Sequence, residues 1–328
     1  MKIVRWGIIG CGDVCEVKSG PAFYKTAYSE LIAVMRRDGK KAEDFAKRHH
    51  VKKWYTDAER LINDDEVDIV YIATPPNTHK QYAIEAMRAG KPIYVEKPIT
   101  MNYEEYLELL QVSKETGQRL FPAFYRRGLP YFQKVKEIID SRVLGELLTV
   151  EVRHYRSPDA SDLSAETQTW RVKKEIAGEG YFFDLAPHSL DILDFLLGDI
   201  EEVKSFATNR GKLYEVKDTF STVLLFKSGI TGSMQYCFVS PKTAEEESVQ
   251  IIGTKGNIRF GIFSFDPIRV AVDGVDPVSY DFPKPLHVQQ PLIETIVNEL
   301  TGTGLCPSTA ESGARTTRIL DLIVRQGR

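Results

Sequence analysis

A chain of 328 residues, 42% hydrophobic and 27% charged, has the composition of a globular protein and is longer than one ordinary core supports, so two domains are expected. Its net charge of -3 shows no basic excess, which argues against nucleic acid or an anionic membrane as partner. No apolar run approaches the length of a membrane span, and the opening Met1-Lys2-Ile3-Val4-Arg5-Trp6 carries Arg5 inside its apolar stretch, unlike a signal peptide. No membrane association and a cytoplasmic location are expected.

In chain order, Ile3 to Ile9 reads as a strand followed by a helix from Val14, and Leu31 to Met35 as a strand followed by a helix through Lys41, Phe45 and Ala46. Val67 to Ala73 is a strand, His79 to Ala89 a helix ended by Gly90, Pro92 to Glu96 a strand, and Asn102 to Thr116 a helix ended by Gly117. Strands alternating with helices at this spacing predict right-handed crossovers and a doubly wound parallel sheet, a Rossmann-type α/β domain over residues 1–121. From 122 to 328 the pattern changes. Extended runs at 146–156, 201–208, 219–226, 230–238, 248–252, 257–262 and 268–272, joined by turns such as Lys227-Ser228-Gly229, predict an open, mostly antiparallel sheet. Helices at about 128–141, 180–197, 287–301 and 308–325 cover one face, giving an α+β domain, and the last of them can pack back on the first domain.

The first strand runs into Gly10-Cys11-Gly12-Asp13-Val14-Cys15, a Gly-x-Gly-x-x-Cys form of the dinucleotide fingerprint. Gly10 permits the tight turn, Gly12 lets the backbone approach a pyrophosphate, and Cys15 stands where a small residue is wanted for helix packing. The helix start offers N–H groups to the anion. After the second strand the usual ribose-binding carboxylate is replaced by Arg36-Arg37, with Lys41 four residues on, and guanidinium groups match a 2′-phosphate; NADP is favoured, with NAD possible if Asp38 binds the ribose. Ala73-Thr74-Pro75-Pro76-Asn77-Thr78-His79 is expected to lie along the dinucleotide, with Ala73, Thr74, Pro75, Asn77 and His79 as cofactor contacts. Read alone, His79 is more often a first-turn helix residue than a catalyst.

Ile93-Tyr94-Val95 is apolar on both faces and ends abruptly in Glu96-Lys97-Pro98. Such strands belong to covered parallel sheets, whose ligands gather beyond the carboxyl ends, so Lys97 is a catalytic candidate. In the second half, Asp184 and His188 are four apart in an apolar helix behind Gly178-Glu179-Gly180, a spacing that places both on one face, where the carboxylate can orient the imidazole for proton transfer. Pro187 inside that helix suggests a kink or a later start. Asp191 and Asp194 read as structural. The four cysteines, Cys11, Cys15, Cys237 and Cys306, form no Cys-x-x-Cys pair and have no histidine at ligand spacing, so no metal site is expected. Cys11 and Cys15 are either space-filling or activated by a helix start.

With the fingerprint at 10–15, Glu96-Lys97-Pro98, and Asp184-x-x-x-His188, the chain resembles the glucose-fructose oxidoreductase / inositol dehydrogenase / rhizopine-catabolism (Gfo/Idh/MocA) oxidoreductase family over essentially its whole length. Thr74 to His79, Trp170-Arg171 and Pro307-Ser308-Thr309 also resemble family patterns. The resemblance implies hydride transfer between NAD(P) and a sugar, polyol or keto-sugar carbon, and a homodimer or homotetramer formed through the C-terminal sheet. It implies that Lys97 polarises the substrate oxygen, that Glu96 contacts the nicotinamide ribose, that the Lys97–Pro98 bond is cis, and that His188 moves the proton with Asp184 orienting it or the substrate. Trp170 and Arg171 are implied to reach the cofactor, and Tyr125, Arg127 and Tyr155 to wall the cleft. Ala186-Pro187 ahead of the histidine, where many relatives carry a glycine, marks a subgroup. Two other readings remain: redox-neutral glycoside cleavage or epimerisation with a retained cofactor, and a nucleotide-sensing regulator without catalysis.

Overall fold

A computed structural model describes residues 2–327. The chain begins β1 (Val4–Ile9), α1 (Asp13–Val17), α2 (Gly20–Lys25), β2 (Ser29–Met35), α3 (Gly39–Arg48), β3 (Lys53–Tyr55), α4 (Ala58–Ile62) and β4 (Ile69–Ile72). It continues through α5 (His79–Arg88), β5 (Ile93–Val95), α6 (Tyr103–Thr116), β6 (Leu120–Pro122), α7 (Pro130–Asp140), β7 (Leu147–Tyr155), α8 (Lys174–Ala177) and α9 (Gly180–Leu197). Strands β8 (Ile200–Thr208), β9 (Thr219–Phe226), β10 (Thr231–Cys237), β11 (Glu246–Gly253), β12 (Gly256–Phe260), β13 (Ile268–Val272) and β14 (Val278–Tyr280) precede α10 (Gln290–Leu300) and α11 (Ala310–Gln326). Among the described residues, no helix is long and apolar enough to cross a membrane.

The first unit comprises the residues through Leu129 together with Pro285–Ala314. Its six strands are all parallel in the order β3-β2-β1-β4-β5-β6. This is the doubly wound Rossmann order, and it reverses between β1 and β4. Burial on both faces explains the parallel pairing: every residue of β4 and of β5 is buried, so helices must cover each side. Two strands escape pattern reading because they are short and carry atypical residues: β3 is Lys53-Trp54-Tyr55, and β6 ends in Pro122. The expected helix from Val14 is split into α1 and α2. Pro21 lacks an N–H to continue the first helix, and a Cβ on Gly20 would lie 2.1 Å from the Cys15 carbonyl oxygen, so the second helix starts against the first at a glycine. This unit extends beyond 121 to Leu129 because β6 completes the sheet and the turn Tyr125–Gly128 packs on α10, with Gly128 so close that a Cβ would fall 2.8 Å from the Leu292 nitrogen.

The second unit comprises Pro130–Lys284 and the chain from Arg315. Its eight strands run β14-β13-β12-β11-β7-β10-β9-β8, antiparallel throughout except that β7 and β10 are parallel. Strand β7 takes the centre and alternates strictly, with Val150, Val152 and His154 buried and Glu151, Arg153 and Tyr155 on the other face. Helix α9 lies on the buried face: Phe182 stacks on Phe220 at 3.8 Å between centroids, and Ser189 hydrogen-bonds the Tyr236 hydroxyl at 2.7 Å. Being apolar on nearly all sides, α9 is a core helix, and it runs through Pro187 from 180 to 197 without a later start. Its end is fixed by Asp194, which accepts a bidentate pair of bonds from Arg315 at 2.7 and 2.9 Å.

Candidate active site

The loop after β1 has the form that a dinucleotide requires. Gly10 has φ +91°, and a Cβ there would stand 2.9 Å from the Ala73 carbonyl oxygen, so the tips of β1 and β4 approach closely only because the residue is glycine. Gly12 differs: a Cβ there would meet nothing nearer than the Gly10 oxygen at 3.9 Å, which leaves the backbone open to an anion. Asp13 is exposed and Val14 half-buried at the start of α1. Cys11 and Cys15 are fully buried; burial raises the Cys11 thiol pKa to about 11 and the Cys15 thiol further. They fill space rather than react.

Arg36 and Arg37 follow β2. The Arg36 guanidinium donates to the Cys11 carbonyl at 3.3 Å, which holds it beside the glycine loop, whereas Arg37 is exposed. Asp38 caps α3, its carboxylate accepting from the Lys41 backbone N–H at 3.3 Å and standing 3.8 Å from the Lys41 ammonium. Arg36 thus holds a guanidinium beside the loop, Arg37 and Lys41 are exposed close to it in sequence, and Asp38 is engaged by its own helix.

The loops after β4 and β5 are joined through a buried histidine. His79 is 1% exposed; its Nε2 lies 2.7 Å from the Thr74 carbonyl oxygen and its Nδ1 2.9 Å from that of Pro98. Burial lowers its pKa, opposed by those two carbonyls. With both nitrogens on backbone oxygens inside the core, His79 is a strut between the two loops, and its side chain is not placed to touch a cofactor as the sequence suggested. Thr74, Pro75 and Ala73 remain half-buried, Asn77 is exposed, and the Thr78 hydroxyl donates to Thr74 Oγ1 at 2.8 Å.

Beyond β5, the Lys97–Pro98 bond is cis. Glu96 is buried, and its Oε1 accepts from the Tyr71 hydroxyl at 2.7 Å and from the Gln289 amide at 2.5 Å, while Oε2 lies 3.1 Å from the Lys97 backbone N–H. Gln289 in turn accepts from the Tyr94 hydroxyl at 2.8 Å. Tyr71 and Tyr94 stack at 4.9 Å. Glu96 is therefore an anchor for the turn that presents Lys97, which is half-buried at the strand tip. Neither Tyr71 nor Gln289 stands out in the sequence, because a tyrosine in a buried strand and a glutamine ahead of a helix carry no local signal.

In the second unit, α9 carries Asp184 half-buried and His188 at 4% exposure. Phe263 stands edge-on to the His188 ring at 5.8 Å. Asp184 pairs with the Arg171 guanidinium at 3.5 Å, and Arg171 lies over the Trp170 ring at 4.9 Å. The turn Trp170–Val172 is thereby pinned to α9 by its own arginine, with Trp170 exposed.

Two family models cover most of the chain: residues 4–124 match an oxidoreductase family with an NAD-binding Rossmann fold, and residues 132–259 match the GFO/IDH/MocA C-terminal domain. The chain belongs to the Gfo/Idh/MocA oxidoreductase family. It is similar to oxidoreductase P35 of Formosa agariphila, 39% identical over 97% of this chain and 98% of that one. It is also similar to 1,5-anhydro-D-fructose reductase of Ensifer adhaerens, 25% identical over 94% and 92% of the two chains. Among solved structures, aldose-aldose oxidoreductase from Caulobacter crescentus complexed with glycerol superposes with a TM-score of 0.88 over 100% of this chain and 98% of that one, at 22% identity.

This Gfo/Idh/MocA chain is thus an oxidoreductase with an NAD(P)-binding Rossmann fold, and the open backbone at Gly12 fits that cofactor. Three weaker expectations are placed as follows. Arg127 is 4% exposed and donates to the Pro307 carbonyl at 3.2 Å, which braces the returning segment. Tyr125 is 9% exposed, with the Arg126 guanidinium over its ring at 4.9 Å, and belongs to the same buried turn. Tyr155 lies on the face of the sheet opposite α9; the residue that β7 turns towards α9 is its neighbour His154. A one-residue step along a strand reverses the face.

Proposed function

We propose that this oxidoreductase prefers NADP and moves a hydride between the nicotinamide and a carbon of a sugar, polyol or keto-sugar. The first unit holds the dinucleotide and the second supplies substrate contacts. The observation that carries this reading is the construction of the Lys97 turn: a lysine at a sheet tip is fixed by a buried carboxylate with two hydrogen-bonding partners and by an imidazole strut, a density of buried polar contacts that mere solvent exposure of a lysine does not require.

The bound nicotinamide supplies or accepts the hydride. Lys97 presents a compact ammonium that polarises the substrate oxygen, and His188 delivers a proton to that oxygen in reduction or removes it in oxidation. Asp184, one helical turn before His188 and paired with Arg171, positions the imidazole. Gly10, Gly12 and the start of α1 hold the pyrophosphate, Arg36 and Arg37 the 2′-phosphate. The relative named for 1,5-anhydro-D-fructose supports a sugar-type substrate. Turnover of 1,5-anhydro-D-fructose and a panel of keto-sugars, followed at the nicotinamide absorbance with NADPH and with NADH, tests the assignment. Faster turnover with NADPH is expected; consumption of substrate without any nicotinamide change contradicts it.

The partner of the second unit's outer sheet face is a second copy of this chain. Phe206, Val223, Leu225 and Ile252 stand on that face, with Phe206 79% exposed, among charges of both signs including Lys204, Glu202, Arg153 and Glu151. Exposed apolar groups on an uncovered sheet face mark an interaction surface, and a two-fold pairing of this face with its own copy would bury them.

A further inference from the structure

The connection between β12 and β13, within the second unit, is built more firmly than a hairpin turn requires. Glu247 on β11 reaches into it, and its carboxylate accepts from three successive backbone N–H groups: Ile262 to Oε1 at 2.7 Å, and Phe263 and Ser264 to Oε2 at 3.2 and 3.1 Å. Successive N–H groups converging on one carboxylate form a nest, and bonds to an ionised acceptor are stronger than those between neutral groups. A Cβ on Gly261 would stand 2.7 Å from Glu247 Oε2, so the glycine admits the carboxylate. One phenol clasps the two ends of the connection: Tyr131 of α7, 1% exposed, accepts from the Gly261 N–H at 2.9 Å and donates to the Asp266 carbonyl at 2.7 Å. Phe265 is left-handed at φ +57°, held by packing on Tyr131 at 5.2 Å and on Phe132 at 6.2 Å between centroids. Such strain persists only where the surroundings over-determine it, and it gathers at functional sites.

The side chain that this connection presents to α9 is Phe263. Its half-buried ring stands edge-on to His188, at 5.8 Å and 78°, and that imidazole is 4% exposed. The torsion that turns a histidine ring about its Cβ–Cγ bond has a broad well, so the aim of the two ring nitrogens is set by what packs against the ring. An edge-on aromatic neighbour favours one plane. Proton transfer needs a ring nitrogen within hydrogen-bond reach of the reacting oxygen and aimed at it, and a misplacement of about 1 Å costs up to about 10²-fold in rate.

We propose that Phe263 and Glu247 are positioning residues for His188: the Phe263 ring fixes the plane of the imidazole, and Glu247 acts through Phe263 by locking the loop that carries it. The proposal deepens the hydride-transfer reading given above and rests on it for any effect on turnover, whereas the setting of the His188 ring can be read without turnover.

The full chain, labelled with ¹³C at histidine Cε1, is compared by NMR with Phe263→Ala, Phe263→Tyr and Glu247→Gln, the His188 signal being assigned through His188→Asn. Glu247→Gln replaces one carboxylate oxygen by an NH₂ group that cannot accept. Phe263→Ala and Glu247→Gln are both expected to displace the His188 signal and leave that of His79, in the first unit, in place. With NADPH and the keto-sugar panel, kcat is expected to fall about tenfold in Phe263→Ala and less in Glu247→Gln, with KM changed by no more than about twofold. Phe263→Tyr, which keeps the ring, is expected to stay near the parent. The double variant Glu247→Gln/Phe263→Ala is expected to be no slower than Phe263→Ala alone, because Glu247 has no route to His188 once the ring is gone. Tyr131→Phe, which unclasps Gly261 at nearly constant volume, takes the place of Glu247→Gln if that variant fails to fold. The proposal is overturned if the His188 signal is the parent's in either single variant, if Phe263→Ala keeps the parent kcat, or if the two losses multiply in the double variant. A His188 signal displaced in both single variants, in a chain that reduces no keto-sugar, upholds the positioning and contradicts the dehydrogenase reading. Keto-sugar reduction with the His188 signal unmoved in both does the reverse.

Discussion

His79 and His154 are both buried, yet their nitrogens meet opposite environments. His79 has a backbone carbonyl at each nitrogen and ties two loops; His154 has none and faces aromatic rings. The pKa of His154, lowered from 6.5 to about 4, gives a signed prediction. The unfolded chain binds this proton at higher pH than the folded chain does, so the stability at stake is intact above about 6.5 and is lost as pH falls towards 4, on the order of 3 kcal/mol in all. Arg156, just past the end of β7, adds to the effect, and Glu247 is the paired residue across on β11. Thermal unfolding between about pH 7 and pH 4.5 is expected to show a steeper loss for the parent than for His154→Phe; identical slopes contradict a neutral buried ring. At the same scale, replacing Arg36 and Arg37 by serine is expected to weaken NADPH by about tenfold or more and NADH little, as measured by fluorescence titration, whereas equal losses contradict the 2′-phosphate role. The glycine loop, Lys97 and the Asp184/His188 spacing could be read directly because each is local in sequence. Tyr71 and Gln289 could not, because their value lies in meeting Glu96 from 25 and 193 residues away.

Among elements, the parallel strands were legible wherever an apolar run was flanked by helices, and β7 to β13 wherever residues alternated strictly. The misses share a cause. Short strands such as β3, β6 and β14 have too few residues to show a period, and the break between α1 and α2 depends on the close approach at Gly20, which no helical pattern announces. The segment before α10 matters more than its composition suggests, for Gln289 couples it to the strand tip that carries Lys97. Gln289→Leu removes one partner from buried Glu96 and leaves Tyr94 without its acceptor. It is expected to cost about 1–3 kcal/mol in chemical denaturation and to lower kcat more than it raises KM, because the turn loses its support. An unchanged kcat with lost stability alone would show that the network is structural only. Helix α6 offers a simpler check: Asn102 caps it by accepting from the Glu105 N–H at 2.8 Å, and Asn102→Ala is expected to cost about 1 kcal/mol without altering turnover.

At the scale of the whole molecule, the two sheets differ in how they are covered. Strands β4 and β5 of the parallel sheet are buried throughout, and the glycine loop, Thr74 and Lys97 follow the carboxyl ends of β1, β4 and β5. The second sheet buries one face under α9 and leaves the other open. That open face leads to an expected dimer or tetramer in sedimentation or light scattering, shifted towards monomer by the pair Phe206→Lys and Val223→Lys; a monomeric parent chain contradicts the interface. The chemistry itself is tested most directly by following the hydride. NADPH dideuterated at nicotinamide C4 is mixed with the keto-sugar that turns over fastest, and the product is read by mass spectrometry and NMR. One deuterium on the carbon that becomes the new alcohol, with the rate cut by about 10²–10⁴ in Lys97→Met and in His188→Asn at unchanged NADPH affinity, is the predicted result. A product without deuterium, or variants that turn over at the parent rate, would contradict it.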